Sequence, residues 1–134
     1  MPRVVHFEIH ASEPQRLIDF YGAIFGWTFR DWAGGEYWVV TTGEPGPGPE
    51  NLGINGGLLR RQGPSPEPGS AMSGYTCIVG VEDADATFAA ALSAGAEVAL
   101  ALTDTPGVGR IGYLRDPDGN VFGIIQPDPE AMPG

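Results

Sequence analysis

The feature that most restricts what this 134-residue chain can fold into is a plan used twice: a strand, a helix and three further strands. Residues 4–10 alternate as a strand, with Val5, Phe7 and Ile9 on one side and His6, Glu8 and His10 on the other. Ser12-Glu13-Pro14-Gln15 then predicts a helix start. Ser12 is placed to cap the first turn, Gln15 to return the interaction, and Pro14 where a missing donor is tolerated. Leu17, Phe20, Tyr21, Ile24 and Phe25 form an apolar stripe, and Gly26 releases the chain. Residues 27–31 and 35–42 read as antiparallel strands joined by Trp32-Ala33-Gly34. Residues 52–60 supply a fourth strand around Gly56-Gly57.

Residues 75–81 begin the plan again. Asp83 caps a helix that turns Ala84, Phe88, Ala91 and Leu92 inward and ends at Gly95. Strands are expected at 96–101, 110–115 and 121–126, the last two joined by the Asp116-Pro117-Asp118-Gly119-Asn120 turn. The glycine- and proline-rich tract 43–49 reads as a loop, and 61–74 as the connection between modules.

A short module of this kind leaves one sheet face uncovered, and curving two sheets about a common interior would bury it. The expected fold is therefore α+β: two βαβββ modules, residues 1–61 and 75–130, forming a curved mixed sheet around a cup-shaped cavity in a single domain, 1–134. Such a concavity suits a small ligand.

Composition removes several function classes. At 14.1 kDa a folded chain buries about two-thirds of its unfolded surface. An apolar content of 42% argues against wholesale disorder despite 21 glycines and 13 prolines. Seven arginines, no lysine and 17 acidic residues give a charge of -10, which repels polyphosphate backbones, so no nucleic-acid partner is expected. Cys77 is the single cysteine, read as a partly buried strand thiol, and no intramolecular disulfide is possible. No run approaches the ~20 apolar residues of a membrane helix, and no basic, signal-like leader opens the sequence. No membrane partner and cytoplasmic residence are the corresponding expectations.

Three motifs then stand in a telling order: His6-Phe7-Glu8-Ile9, Phe20-Tyr21 followed by Phe25-Gly26-Trp27, and the terminal Asp116–Asn120 turn. Together, across almost the whole chain, they resemble the vicinal oxygen chelate superfamily of glyoxalases, bleomycin-resistance proteins and extradiol dioxygenases. The resemblance implies paired βαβββ modules around a cup-shaped site, often completed by dimerisation. It also implies one metal ligand at the start of each module and another on each module's final strand. His6 matches the first of these positions. The second falls on Thr76 and the closing position of the second module on Gly123; that of the first lies near Gly56 or Gly57. Glycine has no side-chain donor, threonine replaces imidazole poorly, and a catalytic metal needs several donors plus an open position. His10 does not repair the set, because four strand residues separate it from His6 by roughly 13 Å. No metal ligand set and no cofactor are expected.

His6 and Glu8 share a strand face with Cα atoms roughly 6.5 Å apart, close enough to recognise a polar ligand or to form a satisfied buried pair. The aromatic set Phe29, Trp32, Tyr37 and Trp38 divides between core packing and ligand contact. Arg60-Arg61 reads either as an anion site or as a solvated strand end. The ligand-binding candidates are His6, Glu8, Trp38, Tyr75, Thr76, Tyr113 and Gly123, with no residue assigned to catalysis. The leading expectation is metal-independent binding of a small organic molecule by a homodimer. A divalent-metal-dependent lyase, isomerase or dioxygenase is the enzymatic alternative, and a non-catalytic dimeric scaffold the third.

Overall fold

A computed structural model describes residues 2–48 and 52–129; Pro49 of the 43–49 loop and residue 130 of the second module lie outside the described residues. The strand–helix–three-strand order appears twice: β1 (Arg3–Ala11), α1 (Pro14–Phe25), β2 (Thr28–Asp31), β3 (Tyr37–Thr41) and β4 (Gly56–Arg60), then β5 (Thr76–Gly80), α2 (Ala84–Ser93), β6 (Glu97–Thr105), β7 (Gly109–Arg115) and β8 (Val121–Pro127). The chain divides into two compact units, His6–Tyr75 and Met1–Val5 with Thr76–Gly134. Among the described residues no helix is long and apolar enough to cross a membrane.

In the unit spanning His6–Tyr75, β1 runs parallel to β4, and β3 is antiparallel to both β4 and β2. Phe7, Ile9, Ala11, Val40 and Leu58 form its core, against which Leu17, Ile18 and Tyr21 of α1 pack. Val40 and Leu58 are fully buried, each worth about 1.5–3 kcal/mol of transfer free energy. Gly26 ends α1 in the left-handed region at φ 72°, returning its N–H to Gly22 O. The start of α1 departs from expectation. Glu13 is the N-cap and makes no side-chain cap bond, while the Ser12 hydroxyl turns to that of Ser65 and Gln15 donates to Asp19 Oδ1 at 2.8 Å. Phe20, Ile24 and Phe25 also leave the expected inward stripe: 51%, 51% and 59% of their surface is exposed.

In the other unit, Asp83 caps α2 as its position predicts, accepting from the Ala86 N–H at 3.0 Å. Val81, Ala84, Phe88, Leu114 and Ile124 make a second core. Gly112 lets Phe88 approach β7, since a Cβ there would stand 2.8 Å from the Phe88 ring. Leu92, expected inward, is exposed, and the Cys77 thiol is exposed rather than partly buried. Asp116 Oδ1 closes the β7–β8 turn by accepting from the N–H groups of Asp118 at 2.9 Å and Asn120 at 3.0 Å.

The strand order is β2-β3-β4-β1-β5-β8-β7-β6. Among the described residues β2 and β6 are edges that do not pair with one another, so the sheet is open and not closed on itself. This overturns the expected curved sheet around a cup-shaped cavity. The physical reason lies in the burial: each helix covers its own core, drawn from positions 7–58 in one unit and 81–124 in the other, so burial does not require wrapping around a common interior.

Candidate functional site

Strand alternation divides β1 and β3 into two faces. Ile9 pairs with Leu58 and Trp38 also pairs with Leu58, which places them on the core side. Glu8 and Val39 both pair with Gly57, so Glu8, Val39 and Tyr37 share the opposite side. On that side Tyr37 Oη lies 2.9 Å from His6 Nε2 and donates to Glu8 Oε2 at 3.4 Å. Glu8 is 7% exposed, which makes it a buried acid held in a polar network.

The electrostatics favour neutral partners around that acid. Burial lowers the His6 pKa from 6.5, and the negative charge of Glu8 offsets only part of the effect. Burial, the Glu8 charge and the bond to Glu8 all raise the Tyr37 pKa far above 10. At neutral pH the phenol keeps its proton and the imidazole is predominantly uncharged.

Gly57 makes this arrangement possible. A Cβ built on it would stand 1.8 Å from Tyr37 Oη, and one on Gly56 would stand 2.5 Å from the Phe7 carbonyl oxygen. Gly56 and Gly57 mark the place where the resemblance sets the first module's closing metal ligand. At Gly57 a tyrosine hydroxyl fills the space a ligand side chain would need. Among the described residues no three His, Cys, Asp or Glu side chains gather into a metal-sized group. One imidazole, one carboxylate and a protonated phenol bonded to both do not fit a divalent catalytic ion, which needs several ionised or lone-pair donors and an open position.

The other sequence candidates fall elsewhere. Trp38 packs on the core side, away from Tyr37. Tyr75 stacks on Phe7 with ring centroids 5.7 Å apart, and its hydroxyl donates to that of Tyr21. It thus joins an aromatic cluster with Tyr21, Phe25 and Trp27 rather than the His6 face. In the second unit, Gly123 pairs with both Ile78 and Tyr113, and a Cβ on it would stand 2.9 Å from the Tyr113 ring. Tyr113 and Gly123 are therefore neighbours, and Thr76 opens the adjacent β5. Gly57 and Gly123 are thus each covered by a tyrosine of the preceding strand. An open depression of about 610 Å³ is lined by Arg61, Glu67, Ser70 and Met72 among others, and none of His6, Glu8 or Tyr37 contributes to it.

Tyr37, weighed in the sequence only within an aromatic set, is the residue the structure brings against His6 and Glu8. Alternation separates Tyr37 from Trp38, and the registers of Glu8 and Val39 on Gly57 then bring Tyr37 to the Glu8 face.

The model of a family described as the Glyoxalase/Bleomycin resistance protein/Dioxygenase superfamily matches residues 3–124. Proteins named "Putative glyoxylase CFP32" in Mycobacterium bovis and Mycobacterium tuberculosis are each 32% identical over 126 residues, covering 92% of this chain and 43% of theirs. The chain thus spans less than half the length of these curated relatives. Among solved structures, the methylmalonyl-CoA epimerase from Mycobacterium tuberculosis superimposes with a TM-score of 0.63 at 16% identity, covering 95% of this chain and 89% of that one. A hypothetical protein, BH1468, from Bacillus halodurans C-125 gives 0.64 at 11% identity, with 98% and 99% covered. At these identities the structural likeness shows the fold alone.

Proposed function

The chain belongs to the Glyoxalase/Bleomycin resistance protein/Dioxygenase superfamily, and on that premise we propose that it binds a small organic molecule without a metal ion. The observation that carries this reading is the Tyr37 hydroxyl set between His6 and Glu8 in the space beside Gly57. A hydrogen-bonded imidazole, phenol and carboxylate offer directional polar recognition, which suits a modest organic ligand on this sheet face. His6, Glu8 and Tyr37 are assigned the polar contacts. Thr76, Tyr113 and Gly123 are proposed contacts of the second unit, to be tested separately. A homodimer and cytoplasmic residence belong to the same reading, supported respectively by the exposed apolar face of α1 and by a lone cysteine that needs no oxidising compartment.

Two measurements test it. Elemental analysis of protein stripped of weakly held ions is expected to find no stoichiometric metal. Near-equimolar zinc, nickel, manganese or iron, lost in His6→Ala, would overturn the reading. A fragment screen followed by NMR is expected to yield ligands that perturb the His6 and Tyr37 ring signals. Hits that leave both rings unaffected would remove this site from the binding function.

A further inference from the structure

We infer that Tyr37 is a positioning residue that fixes the tautomer of His6, so that the imidazole presents an unprotonated Nδ1 and selects ligands bearing a hydrogen-bond donor. The ligand-class half of this inference rests on the binding function proposed above; the tautomer half stands on geometry alone.

The inference follows from counting protons. A phenol has one hydrogen to give and lone pairs with which to accept, and a carboxylate only accepts. Tyr37 Oη faces two groups, His6 Nε2 at 2.9 Å and Glu8 Oε2 at 3.4 Å, and its one proton can serve only one of them. Were it given to His6, the phenol oxygen would turn a lone pair towards a buried carboxylate, two acceptors facing each other where water is scarce. Given to Glu8, it goes to a charged acceptor, and the phenol oxygen is left to accept from His6. The chain then runs in one direction, from His6 Nε2–H to Tyr37 O–H to the Glu8 carboxylate, each bond polarising the next.

A neutral imidazole carries one ring proton. With Nε2 holding it, Nδ1 keeps a lone pair, and among the described residues no protein group donates to that nitrogen. The lowered pKa of His6 agrees with a neutral ring, whose free nitrogen accepts rather than donates. Gly57 enters as the enabling residue, because any side chain there would collide with the phenol hydroxyl that sets the proton order. The free nitrogen suits an O–H or N–H donor and disfavours a ligand that brings only acceptors.

Long-range proton–nitrogen correlation spectra of the full chain, labelled with nitrogen-15, test the tautomer directly. The chain has two histidines, so His6→Gln assigns the His6 ring by subtraction. The expected wild-type pattern is a pyrrole-like Nε2 and a pyridine-like Nδ1. In Tyr37→Phe the two nitrogens are expected to move towards each other as both tautomers populate, with the backbone amide spectrum retained. A pyridine-like Nε2 in the wild type, or an unchanged pattern in Tyr37→Phe, overturns the role of Tyr37. The wild-type spectrum decides the question even if the variant does not fold. Phenol and its methyl ether, anisole, probe the ligand class. Phenol is expected to shift the His6 Nδ1 resonance and anisole to leave it in place. Equal shifts from both, or none from either, overturn the donor preference, whereas the tautomer pattern stands or falls independently.

Discussion

The hydroxyl of Tyr37 occupies the space that a side chain on Gly57 would require: a Cβ added there would stand 1.8 Å from Tyr37 Oη. At this position a ligand side chain and the Tyr37 hydroxyl exclude one another. The strand that would present a ligand has a glycine, and the neighbouring strand places a neutral phenol over it.

Gly57→Ala should expel the Tyr37 hydroxyl and break its bonds to His6 and Glu8, at a cost of about 1–3 kcal/mol. Gly56→Ala should cost more. Its Cβ would stand 2.5 Å from the Phe7 carbonyl oxygen, and backbone within a sheet cannot swing aside as a tyrosine ring can. Urea unfolding of both variants checks the ranking. A Gly57→Ala protein as stable as wild type, with unaltered His6 ring signals, would contradict the contact.

The His6 pKa predicts how stability depends on pH. Its folded value lies below the unfolded value of 6.5, so at pH below 6.5 the unfolded chain takes up a proton that the folded chain refuses. The contribution is fully present above 6.5 and is lost as pH falls towards the depressed folded value, below which it levels off. Stability should thus rise with pH through that window. His6→Gln removes the titration and keeps a group able to bond Tyr37, so the difference in denaturation midpoint between it and wild type should shrink as the medium is acidified. A difference independent of pH would show that His6 does not titrate differently in the two states.

Much of the fold could be read from the residues because its signals are local. Asp83 at a helix start, Gly26 at a helix end and the Asp116–Asn120 turn each act within four residues, and each behaves as its chemistry predicts. Four readings failed for want of distant information. Ser12 meets Ser65, 53 positions away, instead of capping α1. Leu92, expected inward, and Cys77, expected partly buried, are both exposed. Sheet openness depends on which strands pair at the edges, and alternation within a strand carries no record of that. Within the site, His6 and Glu8 were legible from shared parity. Tyr37 was not, because its place beside them is set by the register of β4 against both β1 and β3.

The two helix starts should respond unequally to the same kind of substitution. Asp83→Ala removes an acceptor for the Ala86 N–H and should destabilise by about 0.5–2 kcal/mol. Ser12→Ala removes no cap bond, since Glu13 occupies the N-cap and the Ser12 hydroxyl engages an exposed serine, so its effect should stay within about 0.5 kcal/mol. Thermal unfolding of the two single variants compares them. Equal losses would mean that Ser12 caps α1 in solution after all.

The apolar face of α1 gives the proposed homodimer a specific test. Phe20 and Ile24 are one helical turn apart on the same side of α1, each 51% exposed. Exposed apolar side chains one turn apart are the kind of surface that a second copy covers, while a chain charge of -10 opposes association at low salt. Association should therefore strengthen as salt is added. Ile24→Glu puts a further negative charge on this surface and makes no change to the aromatic stacking around Tyr21 and Trp27. Light scattering is expected to give roughly twice 14.1 kDa for the wild type and a mass near 14.1 kDa for the variant. A wild-type mass that stays at 14.1 kDa across protein concentration and salt would defeat the dimer, and a dimer that persists in Ile24→Glu would move its interface off α1.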